Sequence, residues 1–344
     1  PQVLSSAASD VYKRQNNHKS KGVNKSVIQS VTNVNEVLEK YGERAKLHEI
    51  DFSQLLSLLE CCKNCLAITS GPSCLLSQTG KCIMKHKFNV DMMHMKEKIQ
   101  TKYSKNHSIL LVSTVDILSE NKLGKSLHFF DRQGALIHRI FIYSYENMAL
   151  FETILSKLKT IDTGKSSYQH GTNFLSEEVI QKSKINFKRD WFSLSLNDHI
   201  NTMIDYGATS RYYILNDLPT NCSRKFSFDY LIKLIHLMHD TEIPLLKFSI
   251  RPGLAQASED QVRSIVPLSS ITMLYGENSC FGLDQRKIKT CRVSRIKSRD
   301  TYRSIIELFD ANKAIVSVFL CGANCDESKQ DLWEQVIDNF PLYH

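Results

Sequence analysis

The chain has 344 residues, 42% hydrophobic and 23% charged, which is enough for two hydrophobic cores. No apolar run approaches the ~20 residues of a membrane-spanning helix, so stable insertion by such helices is not expected. The formal charge of +8 suits an acidic partner, but Lys and Arg are scattered without the aromatic-interleaved clusters of a nucleic-acid platform, and the field fits a small anionic ligand at least as well.

Residues 1–18 read as a non-native or disordered end, because Pro1 to Gln15 has neither clean periodicity nor turn logic. Over residues 26–41 the apolar side chains of Val27, Ile28, Val31, Val34, Val37 and Leu38 recur at helical spacing, and Tyr41-Gly42 ends the helix. A short amphipathic helix is predicted over 51–62 and a buried strand over 65–69, broken by Gly71-Pro72. Residues 81–95 alternate in part and predict strands with a turn near 86–89. Residues 108–115 are continuously apolar, as in a strand of a covered sheet.

One phrase then occurs twice. Ser126-Leu127-His128-Phe129-Phe130-Asp131 turns and returns through Ile137-His138-Arg139 toward a helix containing Leu150-Phe151-Glu152. Ile305-Ile306-Glu307-Leu308-Phe309-Asp310 turns and returns through Val316-Ser317-Val318 toward Leu332-Trp333-Glu334. The likeness extends backwards, where Phe52 to Leu59 followed by Leu66 to Pro72 is echoed by Phe228 to Ile235 followed by Leu245 to Gly253. The prediction is an α+β protein built as a tandem duplication of one domain, each copy a largely antiparallel sheet flanked by helices. Residues 19–160 form the first repeat, the Ser-, Thr- and Gly-rich stretch 161–188 a linker, and 189–344 the second repeat.

The candidate chemistry follows the linker, in a segment without a strong counterpart in the first half. A helix over 197–206, capped by Ser195 or Asn197 and ended by Gly207, puts Leu196, His199, Ile200, Met203 and Ile204 on one face, with Arg211 one turn beyond. A flat, apolar, dianionic iron macrocycle requires an imidazole for the iron, a guanidinium for the propionates and an apolar wall for the ring. A satisfied core histidine beside a surface arginine has the same spacing, and spacing alone favours that plainer reading.

From about Ala45 to the C-terminus the chain resembles the bacterial cytoplasmic haem-utilisation family, the haemin-degrading factors and haemin transport proteins of haem-uptake systems. The resemblance is carried by the two Phe-Asp hairpins, by Trp191, His199, Gly207 and Arg211, and by Ile250-Arg251-Pro252-Gly253. It implies one haem in a cleft between a second-half helix and the first-half sheet, with His199 as proximal iron ligand and Arg211 near the propionates. Where the family has a distal Arg, this chain has Asp91-Met92-Met93-His94-Met95, so His94 or Met93 becomes a candidate distal ligand, or that face is open to water. Matched without a gap, the proximal position falls on Asn197 instead. The family's partners would be haem, an inner-membrane haem importer and a downstream haem oxygenase, and its members either carry haem or degrade it.

Other constellations are weaker. Cys61-Cys62-Lys63-Asn64-Cys65 lacks the second pair that a structural zinc needs, and the ten cysteines read as reduced cytosolic thiols. Cys321 and Cys325 fall in a loop, and His236 and His239 lie three apart on a helix without a third ligand. The basic strand with Arg286, Arg292 and Arg295 could hold a propionate or present a solvated face. It is also the one feature supporting the alternative, a non-catalytic nucleic-acid or partner-binding module on the same scaffold.

Overall fold

The computed structural model describes residues 33–49, 55, 59–60, 62–85, 87–89, 98–103, 110–119, 122–131, 133–142, 145–161, 191, 193–205, 208–298, 301–323 and 325–340. The first half runs α1 (Val34–Tyr41), β1 (Ala45–Glu49), β2 (Cys65–Ser70), β3 (Cys74–Lys85), β4 (Lys98–Tyr103), β5 (Leu110–Ser119), β6 (Lys122–Phe130), β7 (Leu136–Ile142), α2 (Tyr145–Lys157) and β8 (Lys159–Thr160). The second runs α3 (Leu196–Asp205), α4 (Ala208–Asn216), β9 (Ser223–Phe226), α5 (Phe228–Asp240), β10 (Leu245–Arg251), β11 (Leu254–Asp260), β12 (Ser264–Leu268), β13 (Ile271–Tyr275), β14 (Ser279–Asp284), β15 (Thr290–Ser298), β16 (Thr301–Phe309), β17 (Ile315–Cys321) and α6 (Glu327–Asp338). Among the described residues no helix is long and apolar enough to cross a membrane.

The repeated Phe-Asp has a local cause. In the β6–β7 turn Asp131 Oδ1 accepts the backbone N–H groups of Gln133 and Ala135, both at 2.9 Å, and Gly134 takes φ +76°. In the β16–β17 turn Asp310 Oδ1 accepts from Asn312 and Ala314 at 2.9 and 3.0 Å, with Lys313 at φ +61°. A short carboxylate that satisfies two turn amides fixes both hairpins in the same shape.

The duplication reaches further than the sequence indicated. Helix α1 packs Val34, Val37 and Tyr41 on Leu47, Val112 and Phe130, while α3 packs Leu196, Ile200 and Met203 on Ile296, Ile305 and Phe309. Each helix therefore covers the hairpin of its own half, β5–β6 or β15–β16, and β1 and β9 pair with β5 and β15 respectively. The counterpart of the segment around His199 exists; its signal was the shared Tyr-Gly at Tyr41-Gly42 and Tyr206-Gly207.

The halves also exchange strands. The first sheet runs β8-β1-β5-β6-β7-β2-β3 and is continued by β14-β13-β12 from the second half. The second runs β9-β15-β16-β17-β10-β11 and is continued by β4 from the first. Pairing is antiparallel except between β4 and the end of β3, residues 81–85, past Gly80 at φ +151°. Most of the helix predicted over 51–62, the residues before 33, the core of the linker, and 90–97 lie outside the described residues.

Candidate functional site

Helix α3 starts on a capping box. Ser195 Oγ accepts the Asp198 N–H at 3.2 Å, and Asp198 Oδ2 accepts the Ser195 N–H at 3.2 Å and its hydroxyl at 2.6 Å. Ser195 is the cap, which aims Leu196, His199, Ile200, Met203 and Ile204 inward, and all five are buried.

His199 is 0% exposed. Its Nδ1 lies 3.2 Å from Arg211 Nη1 and its Nε2 3.1 Å from the Trp191 carbonyl oxygen. Arginine can only donate, so Nδ1 accepts and the ring proton sits on Nε2, where it donates to Trp191. The indole meets the imidazole edge-on at 4.4 Å, and the Arg211 guanidinium lies over the indole at 4.8 Å. Burial first, and then the Arg211 charge, holds the His199 pKa well below its ordinary value, so the ring is neutral.

Arg211 is not a surface charge beyond the helix. It sits on α4, 3% exposed, and its Nε and Nη2 donate to Glu307 Oε2 at 2.5 Å and Oε1 at 2.8 Å, with Glu307 at 0% exposure in mid-β16. Trp191, His199, Arg211 and Glu307 thus form one internal chain. In this arrangement the pair expected to grip a haem does not fit it, since neither ring nitrogen presents a lone pair outward and the guanidinium fork holds a carboxylate. The first half has a related device at the matching strand position, where His128 accepts from Arg139 Nε at 3.0 Å on Nδ1 and meets Thr114 Oγ1 at 2.9 Å.

The basic strand is internally engaged. Arg292 is buried and donates to Ser223 Oγ at 3.1 Å, Asn216 Oδ1 at 2.6 Å and the Leu215 carbonyl at 2.7 Å. Arg295 pairs with Asp338, and Arg286, whose side chain is 69% exposed, lies 3.2 Å from Asp284 Oδ2. None of the three joins His199 in a cleft, and this pairing gives no support to a nucleic-acid face. Met93 and His94 lie outside the described residues.

The side of α3 toward the first half carries residues that the sequence reading missed. Asn201 Oδ1 accepts the Phe88 N–H at 2.8 Å, and its Nδ2 donates to the Phe88 carbonyl at 2.9 Å. The fully buried Lys102 of β4 donates to the Asn201 carbonyl at 2.9 Å. At the solvent edge Asn197 Nδ2 reaches Asn89 Oδ1 at 3.3 Å. This junction leads directly into residues 90–97. Asn201→Leu would strand two backbone groups of Phe88, so a loss of about 2 kcal/mol is expected together with faster hydrogen exchange at the Phe88 amide. Unchanged exchange there would contradict the clamp.

Cys62, Cys65 and Cys82 are buried in the first-half core, and no metal-holding cluster of three His, Cys, Asp or Glu occurs among the described residues. His236 is exposed on α5, while His239 Nδ1 lies 2.5 Å from the Val262 carbonyl.

Residues 30–158 match the family model described as the haemin-degrading HemS.ChuX domain. No curated protein sequence matches the chain. The structure of holo-PhuS, a haem-binding protein from Pseudomonas aeruginosa, superposes with a TM-score of 0.70 at 16% identity, over 100% of this chain and 99% of that one. ChuS, an E. coli haem oxygenase, superposes with a TM-score of 0.68 at 15% identity, over 89% of this chain and 91% of that one. At such identities the likeness is one of fold.

Proposed function

Because residues 30–158 match the model of the haemin-degrading HemS.ChuX domain and the second half repeats the architecture of the first, we propose that this protein binds haem. In this reading it is a cytoplasmic component of a bacterial haem-uptake system. It accepts haem delivered by an inner-membrane importer and either passes it to a downstream oxygenase or opens the ring to release iron. The family match carries the proposal.

We place the haem at the junction of α3 with Phe88, Asn89 and Lys102. At its solvent edge Asn197 meets Asn89 through a 3.3 Å bond, and Lys102 brings positive charge to the same junction for an anionic ligand. Iron ligation falls to His94 or Met93, and His199 supports α3 from behind through Trp191 and Arg211. An imidazole or thioether on iron leaves one face for oxygen or for a second ligand, which is what separates an enzyme from a carrier.

Titration with haemin tests this reading. A shifted Soret band is expected in the wild type, retained in His199→Ala and lost or displaced when both Met93 and His94 are replaced by Ala. Failure of the wild type to shift the band would overturn haem binding, and steep salt-dependent retention on DNA would then favour the nucleic-acid alternative. Loss in folded His199→Ala, with the double variant unaffected, would move the ligand to His199 and require its ring to leave the Trp191 carbonyl. Catalase-resistant bleaching on adding a reductant would mark turnover, and a stable spectrum a carrier.

A further inference from the structure

The C-terminal end of β17 and the start of α6 bring two thiols together away from the junction above. Cys321 is the last residue of β17, and Cys325 directly precedes Asp326, whose side chain caps α6 by accepting the Lys329 N–H at 2.9 Å. The Cys325 N–H donates to the Gly322 carbonyl at 3.3 Å, and the two thiols interact strongly enough that each sets the other's ionisation. Gly322 locks this turn against the sheet. Its N–H donates to the Pro244 carbonyl at 2.8 Å, and a Cβ there would meet Glu259 Oε1 at 2.7 Å and Pro244 O at 3.0 Å. Both thiols are half-buried, whereas Cys62, Cys65, Cys74, Cys82, Cys280 and Cys291 are sealed in cores.

A cavity of about 140 Å³ opens beside them between β16, β17 and α6. Cys321 lines it, with Tyr302, Arg303, Glu327, Asp331 and Glu334. Three carboxyl groups against one guanidinium make its mouth acidic, and Glu327 and Asp331 are exposed.

We propose that Cys321 and Cys325 are a redox-active dithiol that exchanges with a small cationic disulfide seated in this cavity. The inference does not depend on haem binding. The Cys325 thiol is drawn below its ordinary value, first by the hydrogen bond from Cys321 and further by the Lys329 charge, against burial and Glu259. The Cys321 thiol is correspondingly raised, by that same bond, by burial and by Glu334, against Arg303. The pair therefore holds one proton between two sulfurs after its first ionisation.

As the Cys321 sulfur attacks the bound disulfide, the Cys325 thiolate takes the proton that Cys321 carried. The ligand's S–S bond breaks, a mixed disulfide forms on Cys321, and one thiolate leaves. Cys325 then gives up its proton to the departing thiolate and attacks the Cys321 sulfur, which releases the second thiolate. The protein loses two electrons and becomes the Cys321–Cys325 disulfide, and the ligand is reduced to two thiols.

The test treats the full chain with cystamine, a dicationic disulfide, then alkylates the remaining thiols and maps the peptides by mass. The expected product is a link between Cys321 and Cys325 with the loss of two hydrogens, formed before any other of the ten cysteines reacts. Cys325→Ser should stop at a mixed disulfide on Cys321, and Cys321→Ser should leave Cys325 unmodified over the same interval. Cystamine should react faster than neutral hydroxyethyl disulfide, and that faster than anionic oxidised glutathione, with Asp331→Asn cutting the cystamine advantage several-fold. Earlier reaction at Cys222, or both thiols of the pair still open to alkylation, would overturn the dithiol. A faster reaction with oxidised glutathione would overturn the assignment of the cavity.

Discussion

Replacing Arg211 with Met is expected to destabilise the protein by about 3–5 kcal/mol, because it leaves the fully buried Glu307 carboxylate without its guanidinium. Arg292 faces Glu307 in the β15–β16 register, but its own donors already hold Ser223, Asn216 and Leu215, so it is poorly placed to take over. The loss also removes the donor to His199 Nδ1 and the cation over Trp191, which loosens the base of α3. Glu307→Leu should cost a similar amount by leaving Arg211 buried and unpaired. The double variant, with Met and Leu in place of the two charges, should recover most of the loss, because packed apolar side chains replace a buried pair at little cost. Urea denaturation of the three variants measures this directly. A single-variant loss below about 1 kcal/mol, or strictly additive effects, would mean that the pair is not a coupled buried unit.

That ion pair also shows where sequence reading reached its limit. The face of α3 was legible, since Leu196, His199, Ile200, Met203 and Ile204 follow from helical spacing and all prove buried. What His199 touches was not, because helical spacing says nothing of Glu307, 108 positions further along the chain and joined to it through Arg211. A sign was present in Ile305-Ile306-Glu307-Leu308-Phe309, where a carboxylate inside an apolar strand demands a buried cation. The paired hairpins were readable because Asp131 and Asp310 do the same local work in each turn. The strand exchange was not, since β4 meets β11 and β14 meets β3 only through tertiary pairing across roughly 150 to 200 residues, beyond any local pattern. Asn201 was passed over because its partners are the backbone groups of Phe88, which sequence alone does not mark.

Lowering the pH from 7 towards 4 is expected to unfold the protein, through histidines buried in their neutral form. Burial, with the nearby Lys46 charge, lowers the His48 pKa to about 4, and burial lowers that of His138 to about 3. His128 and His199 are held well below 6.5, by burial first and then by Arg139 and Lys40 or by Arg211. In the unfolded chain all four titrate near 6.5, so there the unfolded state binds protons that the folded state refuses. The stabilisation is complete above that pH and is lost as the pH falls through it towards the folded values. Each group contributes up to about 1.4 kcal/mol per pH unit, so four together approach about 5.5 kcal/mol per unit. Two such units remove about 10 kcal/mol, comparable with the whole stability of an ordinary domain, about 5–15 kcal/mol. Denaturation followed by circular dichroism should therefore show stability flat above about pH 7 and falling steeply below 6, with the midpoint reached before the carboxylates protonate. His138→Gln should flatten the slope, because a side chain that never ionises still offers a polar atom to Thr69 Oγ1, 2.7 Å from the native Nδ1. A stability that stays level from pH 7 to pH 5 would mean that these rings reach solvent and take up protons without unfolding.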